Sequence, residues 1–329
     1  MSQVTSPILK DSTGQAILTA LENIGANYSA GSSISAAMAN SMPPRFKNIS
    51  DDWFNGTLRT EVAAGNFKNV RPGDYIIGPT SGTKYIVAEC DGWYQKGDST
   101  NAQTNPAGVT HHLRVIVFKH EGSTRLWAGK GDEQGSWTPS AADKGRCPWN
   151  AETTADPTSA SATGKNSTNI TRAYNGTNYS GYLGSFIRER IDAVILEEDF
   201  KADFGSANVL KYRNWVGSSI NAEAKASGMP PWSGITAGCT WVDRYCDLPS
   251  EVELYGAPVF SSSAYDTGCQ DQQLALFKNC KIEDIFPRID IWTKCVASSS
   301  HAAIRNNNVF ATTSGASYAN WASPLACIK

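Results

Sequence analysis

Apolar residues in this chain fall into short runs, some at helical spacing and some in the alternating or continuous patterns of strands. Gln15 to Ile24 carries Ile17, Leu18, Leu21 and Ile24 at helical spacing, and the small-residue stretch Ser32 to Met42 is placed to extend or pair with it. A short helix with one apolar stripe must bury that stripe, either in an assembly or on the chain's own body. Pro43-Pro44 punctuates the end of this region, and the Trp53-Phe54 pair further on reads as buried. The first clear β pattern follows. Arg71-Pro72-Gly73-Asp74 makes a turn, Tyr75 to Gly78 a strand, Ser81-Gly82-Thr83 a second turn, and Lys84 to Cys90 the return strand. His112 to Phe118 predicts another strand, central or buried.

From Glu121 to Asn178 the chain turns polar and irregular. It also carries Trp127, Trp137 and Trp149, which mark a folded insertion stapled by aromatics and not a linker. Gly181 to Phe204 predicts the strongest helix: Ser185 caps it, Phe186, Ile187, Ile191, Val194 and Ile195 form the apolar side, and Arg188, Glu189, Arg190 and Asp192 form the other. Val209 to Tyr212 reads as a short strand or helix end and Cys239 to Tyr245 as a strand. Leu248 to Gly256 reads as a short capped helix, with Ser250 and Glu253 at capping-box spacing and Gly256 closing it. Gln272 to Phe277 adds an apolar patch.

The final stretch, Ile291 to Lys329, has a different pattern. Ile291 and Trp292 open it, Leu325 to Ile328 close it as an apolar run, and the interior is rich in Ser, Asn and Thr with Tyr318 and Trp321 among them. Tyr and Trp give wide contact at low rotamer cost, while Ser and Asn adapt their hydrogen bonds, so the mixture is that of a binding loop. A solvated surface loop has the same composition, but a solvated tail has no need of an apolar anchor at each end.

At 329 residues the chain is long enough for about two domains or one elaborated domain. Hydrophobic residues make up 40%, enough for a core, and charged residues 18%, below the usual figure of about 25%. Ser, Thr, Asn and Gly fill the difference, as in many extracellular and viral structural β-rich proteins. A net charge of −2 leaves no basic surplus for phosphates, which argues against nucleic-acid binding. No run approaches the length of a membrane span, and the first residues lack a signal peptide, so synthesis in a cytosol without membrane insertion is expected. Eight cysteines without a C-x-x-C are expected as free buried thiols, although the spacing of Cys239 and Cys246 permits a bridge in an oxidising exterior. Sequons at Asn27, Asn48, Asn55, Asn166, Asn169, Asn175 and Asn178 read as by-products of composition.

Catalytic chemistry finds no motif. His111-His112, adjacent in sequence, is poor geometry for a shared ion. There is no H-E-x-x-H, no G-x-S-x-G elbow and no P-loop. Glu197-Glu198-Asp199 reads as a solvated acidic run. No catalytic residue, metal site or cofactor is expected.

A series of weak motifs in a fixed order carries a resemblance. They are Arg71-Pro72-Gly73-Asp74 before the first hairpin, Asp91-Gly92-Trp93, His111-His112 before a strand, and Asn175-Gly176-Thr177-Asn178 leading to Gly181-Tyr182-Leu183-Gly184-Ser185. Further on come Trp241-Val242-Asp243-Arg244, Asp247 to Glu251 through Tyr255-Gly256, Gln273 to Phe277, and Ile291 to Lys294. Over about residues 69–329 the chain resembles the C-type-lectin-like phage and prophage proteins, whose architecture also carries the variable proteins of diversity-generating retroelements. It is more distantly similar to the formylglycine-generating sulfatase-modifying fold. The family's last segment runs from Trp-Thr/Leu-Arg through an Asn-rich middle to Gly-Val-Arg-Pro; Trp292-Thr293-Lys294 and Asn306-Asn307-Asn308 fit, whereas Trp321-Ala322-Ser323-Pro324 keeps only the proline. The calcium signatures Glu-Pro-Asn and Trp-Asn-Asp of sugar-binding lectins are absent.

The resemblance implies an α+β, C-type-lectin-like domain over 46–329 with inserted loops at about 121–178. It also implies an N-terminal attachment or oligomerisation segment over 1–45 and a displayed ligand-binding segment over 291–329. The candidate contact residues are Trp292, Lys294, Ser299, His301, Arg305, Asn306, Asn307, Asn308, Phe310, Thr312, Tyr318, Asn320 and Trp321, with Trp292 and Leu325 to Ile328 also framing the segment. On this reading the chain is a phage virion component, a tail or head fibre that binds a bacterial surface protein or glycan and meets other virion subunits through 1–45. It would act as a homo-oligomer, with a trimer favoured. The Asn cluster suits adenine-directed diversification. Two further expectations stay open: a virion decoration protein without a receptor role, and an enzyme related to the sulfatase-modifying fold.

Overall fold

Two sheets share the C-terminal segment, and that sharing sets the architecture. The computed structural model describes residues 33–92, 111–119, 146–150, 172–179, 181–217, 239–256, 273–286, 290–296, 301–305, 311–315 and 319–329. It is a mixed helix and antiparallel-sheet (α+β) protein. The expected helix Gln15 to Ile24 lies outside the described residues, as do Trp127 and Trp137.

The described chain begins by packing on its own body. Helix α1 (Ala36–Ser41) is capped by the Ser35 side chain, and its Asn40 is buried against Cys90, giving a bond of 2.9 Å to the carbonyl and taking one of 2.8 Å from the amide. Phe67 N donates to Ile34 O at 2.8 Å, which ties the start of this stretch down as well. Helices α2 (Ser50–Phe54) and α3 (Thr57–Ala63) follow, with Trp53, Leu58 and Val62 buried and Phe54 half-buried. Strands β1 (Tyr75–Ile77) and β2 (Lys84–Cys90) form the hairpin that the turn residues predict, and β3 (Leu113–Lys119) pairs antiparallel with β2.

Part of the polar 121–178 region is core. Strand β4 (Arg146–Pro148) enters a sheet, and Cys147, Trp149 and Asn150 are fully buried. Strands β5 (Arg172–Tyr174) and β6 (Thr177–Tyr179) make a hairpin whose turn places Asn175 at φ +49 and Gly176 at φ +78, the left-handed pair that two-residue hairpin turns need.

The strongest predicted helix is present, but its interior differs. Helix α4 (Phe186–Phe204) is capped by Ser185 and runs in π geometry over Ile191–Phe200. An i→i+5 turn changes the angular step, so a reading at the α period misplaces its later residues. Asp199, expected in a solvated acidic run, is 2% exposed, whereas Glu197 and Glu198 are exposed. Arg188, expected on the outer side, is 5% exposed because its guanidinium bonds Leu183 O at 2.8 Å and Asp192 at 3.2 Å.

The end of α4 anchors the first hairpin through one buried carboxylate. Asp203 accepts from Thr80 N at 2.8 Å, Ser81 N at 3.0 Å, Ser81 Oγ at 2.5 Å and Tyr85 Oη at 2.6 Å. Gly78 leaves the space for it, since a Cβ there would sit 1.9 Å from Asp203 Oδ2. Burial, and then the neighbouring charges of Asp203 and Asp199, push the Tyr85 phenol far up from its ordinary 10.0. The folded state therefore keeps a proton that the unfolded chain gives up above pH 10, and stability falls as pH rises past that point, by about 1.4 kcal/mol per pH unit for this group. Denaturant unfolding across alkaline pH is expected to show a shallower decline in Tyr85→Phe than in the native protein; equal slopes would refute the assignment.

Strands β7 (Val209–Leu210), β8 (Tyr212–Gly217), β9 (Cys239–Arg244) and β10 (Cys246–Asp247) follow, β8 and β9 forming their own hairpin. Cys246 is a free thiol, so the bridge that the Cys239 and Cys246 spacing permits is not formed. Burial, then the nearby Asp247 and Asp192 carboxylates, hold the Cys246 thiol well above its ordinary range. Helix α5 (Glu251–Tyr255) has the full capping box of Ser250 and Glu253 and ends at Gly256 with φ +80, as the sequence predicts. Helices α6 (Ala275–Asn279) and α7 (Ile282–Ile285) precede the last five strands: β11 (Ile291–Val296), β12 (His301–Arg305), β13 (Ala311–Gly315), β14 (Ala319–Trp321) and β15 (Leu325–Ile328). The first sheet has the order β1-β2-β3-β15-β10 with β7 also on β15, and the second β13-β12-β11-β14-β4.

Candidate ligand-binding face

The second sheet is built almost entirely from the C-terminal segment. Strands β12 and β13 pair antiparallel in unbroken register from His301↔Gly315 to Arg305↔Ala311, and β11 pairs with β12 across a register shift between Trp292 and Val296. Ile291 lies beside Trp321 in the sheet's parallel pair, and Asn320 pairs with Cys147 of β4. Pro324 then turns the chain into β15, whose four buried residues lie between β3 on one side and β7 and β10 on the other. A polar segment is thus pinned at both ends by apolar strands, each in a different sheet.

Strand β11 is buried at every position, which corrects two of the expected contact residues. Trp292 is fully buried: its Nε1 donates to Cys147 O at 2.8 Å and its ring meets Trp149 edge-on at 5.6 Å. Lys294 is fully buried too, with Nζ 3.7 Å from Glu253 Oε2. Neither is accessible to a ligand, because the sheet packs on α5 just there. Lys294 N donates to Pro249 O at 2.9 Å, and Glu251 N to Cys295 Sγ at 3.4 Å.

Glu253 collects the charges of this seam. Its Oε2 accepts from Ser250 N at 2.7 Å and its Oε1 meets Arg114 Nη2 of β3, while Arg114 lies 4.0 Å from Glu89. Burial pulls the Arg114 guanidinium down, but the charge of Glu253, with Tyr212, Cys327 and Glu89, outweighs it and holds the group well above its ordinary value. One buried carboxylate therefore joins the first sheet, helix α5 and the start of the candidate segment.

Of the remaining expected residues, Asn320 is 6% exposed and donates from Nδ2 to Ser314 Oγ at 3.0 Å. Trp321 is half-buried against the cluster containing Ile86, Ile116 and Leu325, so it braces the two sheets more than it offers a surface. Thr312 is half-buried on β13, paired with Ile304. His301 and Arg305 stand at opposite ends of β12. Ser299, Asn306, Asn307, Asn308, Phe310 and Tyr318 lie outside the described residues. Of the expected residues, His301 and Arg305 therefore stand on β12 and Thr312 on the neighbouring β13.

His111 and His112 both meet Asp91, His112 through its amide at 2.8 Å and His111 through Nδ1. Among the described residues no group of three or more His, Cys, Asp or Glu is placed to hold a metal ion, and no helix is long and apolar enough to cross a membrane. The buried partners of Glu253 escaped the sequence reading, although its capping-box spacing had already picked out the carboxylate. Family models, curated proteins and solved structures show no match to this chain.

Proposed function

We propose that the chain is a receptor-binding protein of a phage virion, a tail or head fibre component. On this reading it presents the β12–β13 side of its C-terminal segment to a bacterial surface protein or glycan on a C-type-lectin-like scaffold. The observation that carries the reading is the double anchoring of a Ser/Asn/Thr-rich segment. Ile291 to Val296 are buried in one sheet, Leu325 to Ile328 are buried in the centre of the other, and the polar stretch runs between them. Anchors of that kind let the intervening positions vary while the fold stands, which is what a diversifiable binding face requires. The return of the C-terminal strand beside a strand of the first hairpin layer supports the lectin-like reading of the scaffold. Oligomerisation would multiply weak single contacts into avidity.

The test replaces His301 and Tyr318 by Ala and measures adsorption of particles carrying the variants to host cells. A drop of about tenfold or more with unchanged folding is expected, whereas undiminished adsorption removes this face from the assignment. A near-copy of the coding sequence for 291–329 beside a reverse-transcriptase gene, differing mainly at adenines, is the expected genomic companion of the diversified form.

A further inference from the structure

The sequence holds two Asn-Gly pairs, Asn55-Gly56 and Asn175-Gly176, and the fold treats them differently. An asparagine side chain that precedes glycine is open to attack by the glycine's own backbone nitrogen, because no Cβ shields that nitrogen. Both asparagines are exposed, so solvent access does not separate them. Hydrogen bonding does. Asn55 Oδ1 accepts from Thr57 N at 2.8 Å, and Gly56 N donates to Trp53 O at 3.1 Å at the end of α2. The attacked group and the attacking nitrogen are both held in place there. At the other pair, among the described residues, neither the Asn175 carboxamide nor the Gly176 amide has a hydrogen-bond partner. Nothing lies within 4 Å of where a Cβ on Gly176 would stand, so no neighbour crowds a ring formed at that point.

Ring closure also needs the peptide plane after Asn175 to rotate out of the turn, so the rate follows how often the tip opens. Little opposes that motion. Strands β5 and β6 form a two-stranded sheet of their own, paired only from Arg172↔Tyr179 to Tyr174↔Thr177, and so short a ladder is marginally stable. Its ties to the body lie before the turn: Tyr174 Oη donates to Asp243 O at 2.7 Å, and Arg188 Nη2 to Ala173 O at 3.3 Å. These bonds hold the first strand and leave the tip to fray.

We propose that Asn175 is a site of spontaneous deamidation in the folded protein. Gly176 N, losing its proton, bonds to Asn175 Cγ and expels ammonia, which closes a five-membered succinimide. Water from the solvent then opens the ring at either carbonyl, leaving aspartate or isoaspartate; in sum, a carboxamide and water give a carboxylate and ammonium. Both products add a negative charge at the tip. Isoaspartate also carries the chain through the former side chain, and the lengthened loop no longer fits the two-residue connection between Tyr174 and Thr177. The inference stands whatever the C-terminal segment binds.

In the test, the native full-length chain is held in mildly alkaline buffer and its peptides are read by mass spectrometry, with isoaspartyl methyltransferase labelling to count isoaspartate. A parallel sample in guanidinium chloride reports both sites with the fold removed. Unfolded, the two sites are expected to convert at similar rates. Folded, Asn175 is expected to convert at least about tenfold faster than Asn55, since two hydrogen bonds must break before Asn55 reacts. Asn175→Gln, whose longer side chain would have to close a six-membered ring, should abolish conversion at the hairpin and leave that at Asn55 unchanged. An Asn175 that stays amidated in the folded chain while the unfolded chain converts overturns the proposal, as does an Asn55 that converts equally fast in the folded chain.

Discussion

Replacing Glu253 by Ala is expected to cost about 3–5 kcal/mol of stability, the usual penalty for removing one partner of a buried charge pair. The side chain is fully buried and holds two cations at once, Arg114 from β3 and Lys294 from β11, while also accepting the Ser250 amide that begins α5. Two companion variants separate these roles. Ser250→Ala removes the side-chain half of the cap alone and should cost about 1 kcal/mol. Glu253→Gln keeps the shape and an acceptor for the Ser250 amide but removes the charge that faces the two cations, and it should lie close to Glu253→Ala. Glu89, 4.0 Å from Arg114, leaves that guanidinium a more distant second carboxylate. Denaturant midpoints measure all three, and a Glu253→Gln variant within about 1 kcal/mol of the native protein would show that the cap, and not the charge, is what matters. The consequence reaches function: Lys294 sits on the central strand of the second sheet, so a chain that loses this seat should lose the candidate face with it.

The parts of the fold that could be read in the sequence are those fixed by local chemistry. Arg71-Pro72-Gly73-Asp74 and Ser81-Gly82-Thr83 set the hairpin β1–β2, Ser185 starts α4, and Ser250, Glu253 and Gly256 bound α5; in each case the residues that decide the structure are neighbours. What could not be read depends on partners far along the chain. Arg188 and Asp199 carry charges that composition sends to solvent, and only the folded arrangement supplies the carbonyls, carboxylate and hydroxyl that receive them. The π geometry of α4 has the same effect within one element, since it rotates Asp199 inward from where an α period puts it. The β5–β6 hairpin is a different case: Asn175-Gly176 is a strong turn signal, but three-residue polar strands on either side gave it nothing apolar to alternate with. At the candidate site the two anchors were legible as apolar runs. The inward turn of Lys294 was not, because a lysine is buried only when a carboxylate waits for it, and Glu253 lies in another element.

Trp292→Ala is expected to cost about 3–5 kcal/mol, at the upper end for a core aromatic. The indole fills the junction where β11 meets residues 147–150, stacking edge-on against Trp149, which in turn lies 5.8 Å from Tyr182. Trp149 O accepts from Ile187 N at 3.1 Å and Asn150 Oδ1 from Phe186 N at 2.9 Å, so the same contacts hold the first turn of α4 against the second sheet. Trp292→Phe keeps most of the ring contact but leaves Cys147 O without the indole donor, and should cost less, about 1–3 kcal/mol. The pair of variants also decides whether Trp292 is scaffold or contact. A scaffold residue lowers binding only by lowering the folded fraction, so binding per folded molecule should match the native protein in both variants and be restored at temperatures where they are folded. If Trp292→Phe instead keeps its stability and loses ligand, the residue touches the ligand, and the burial of β11 must open on binding.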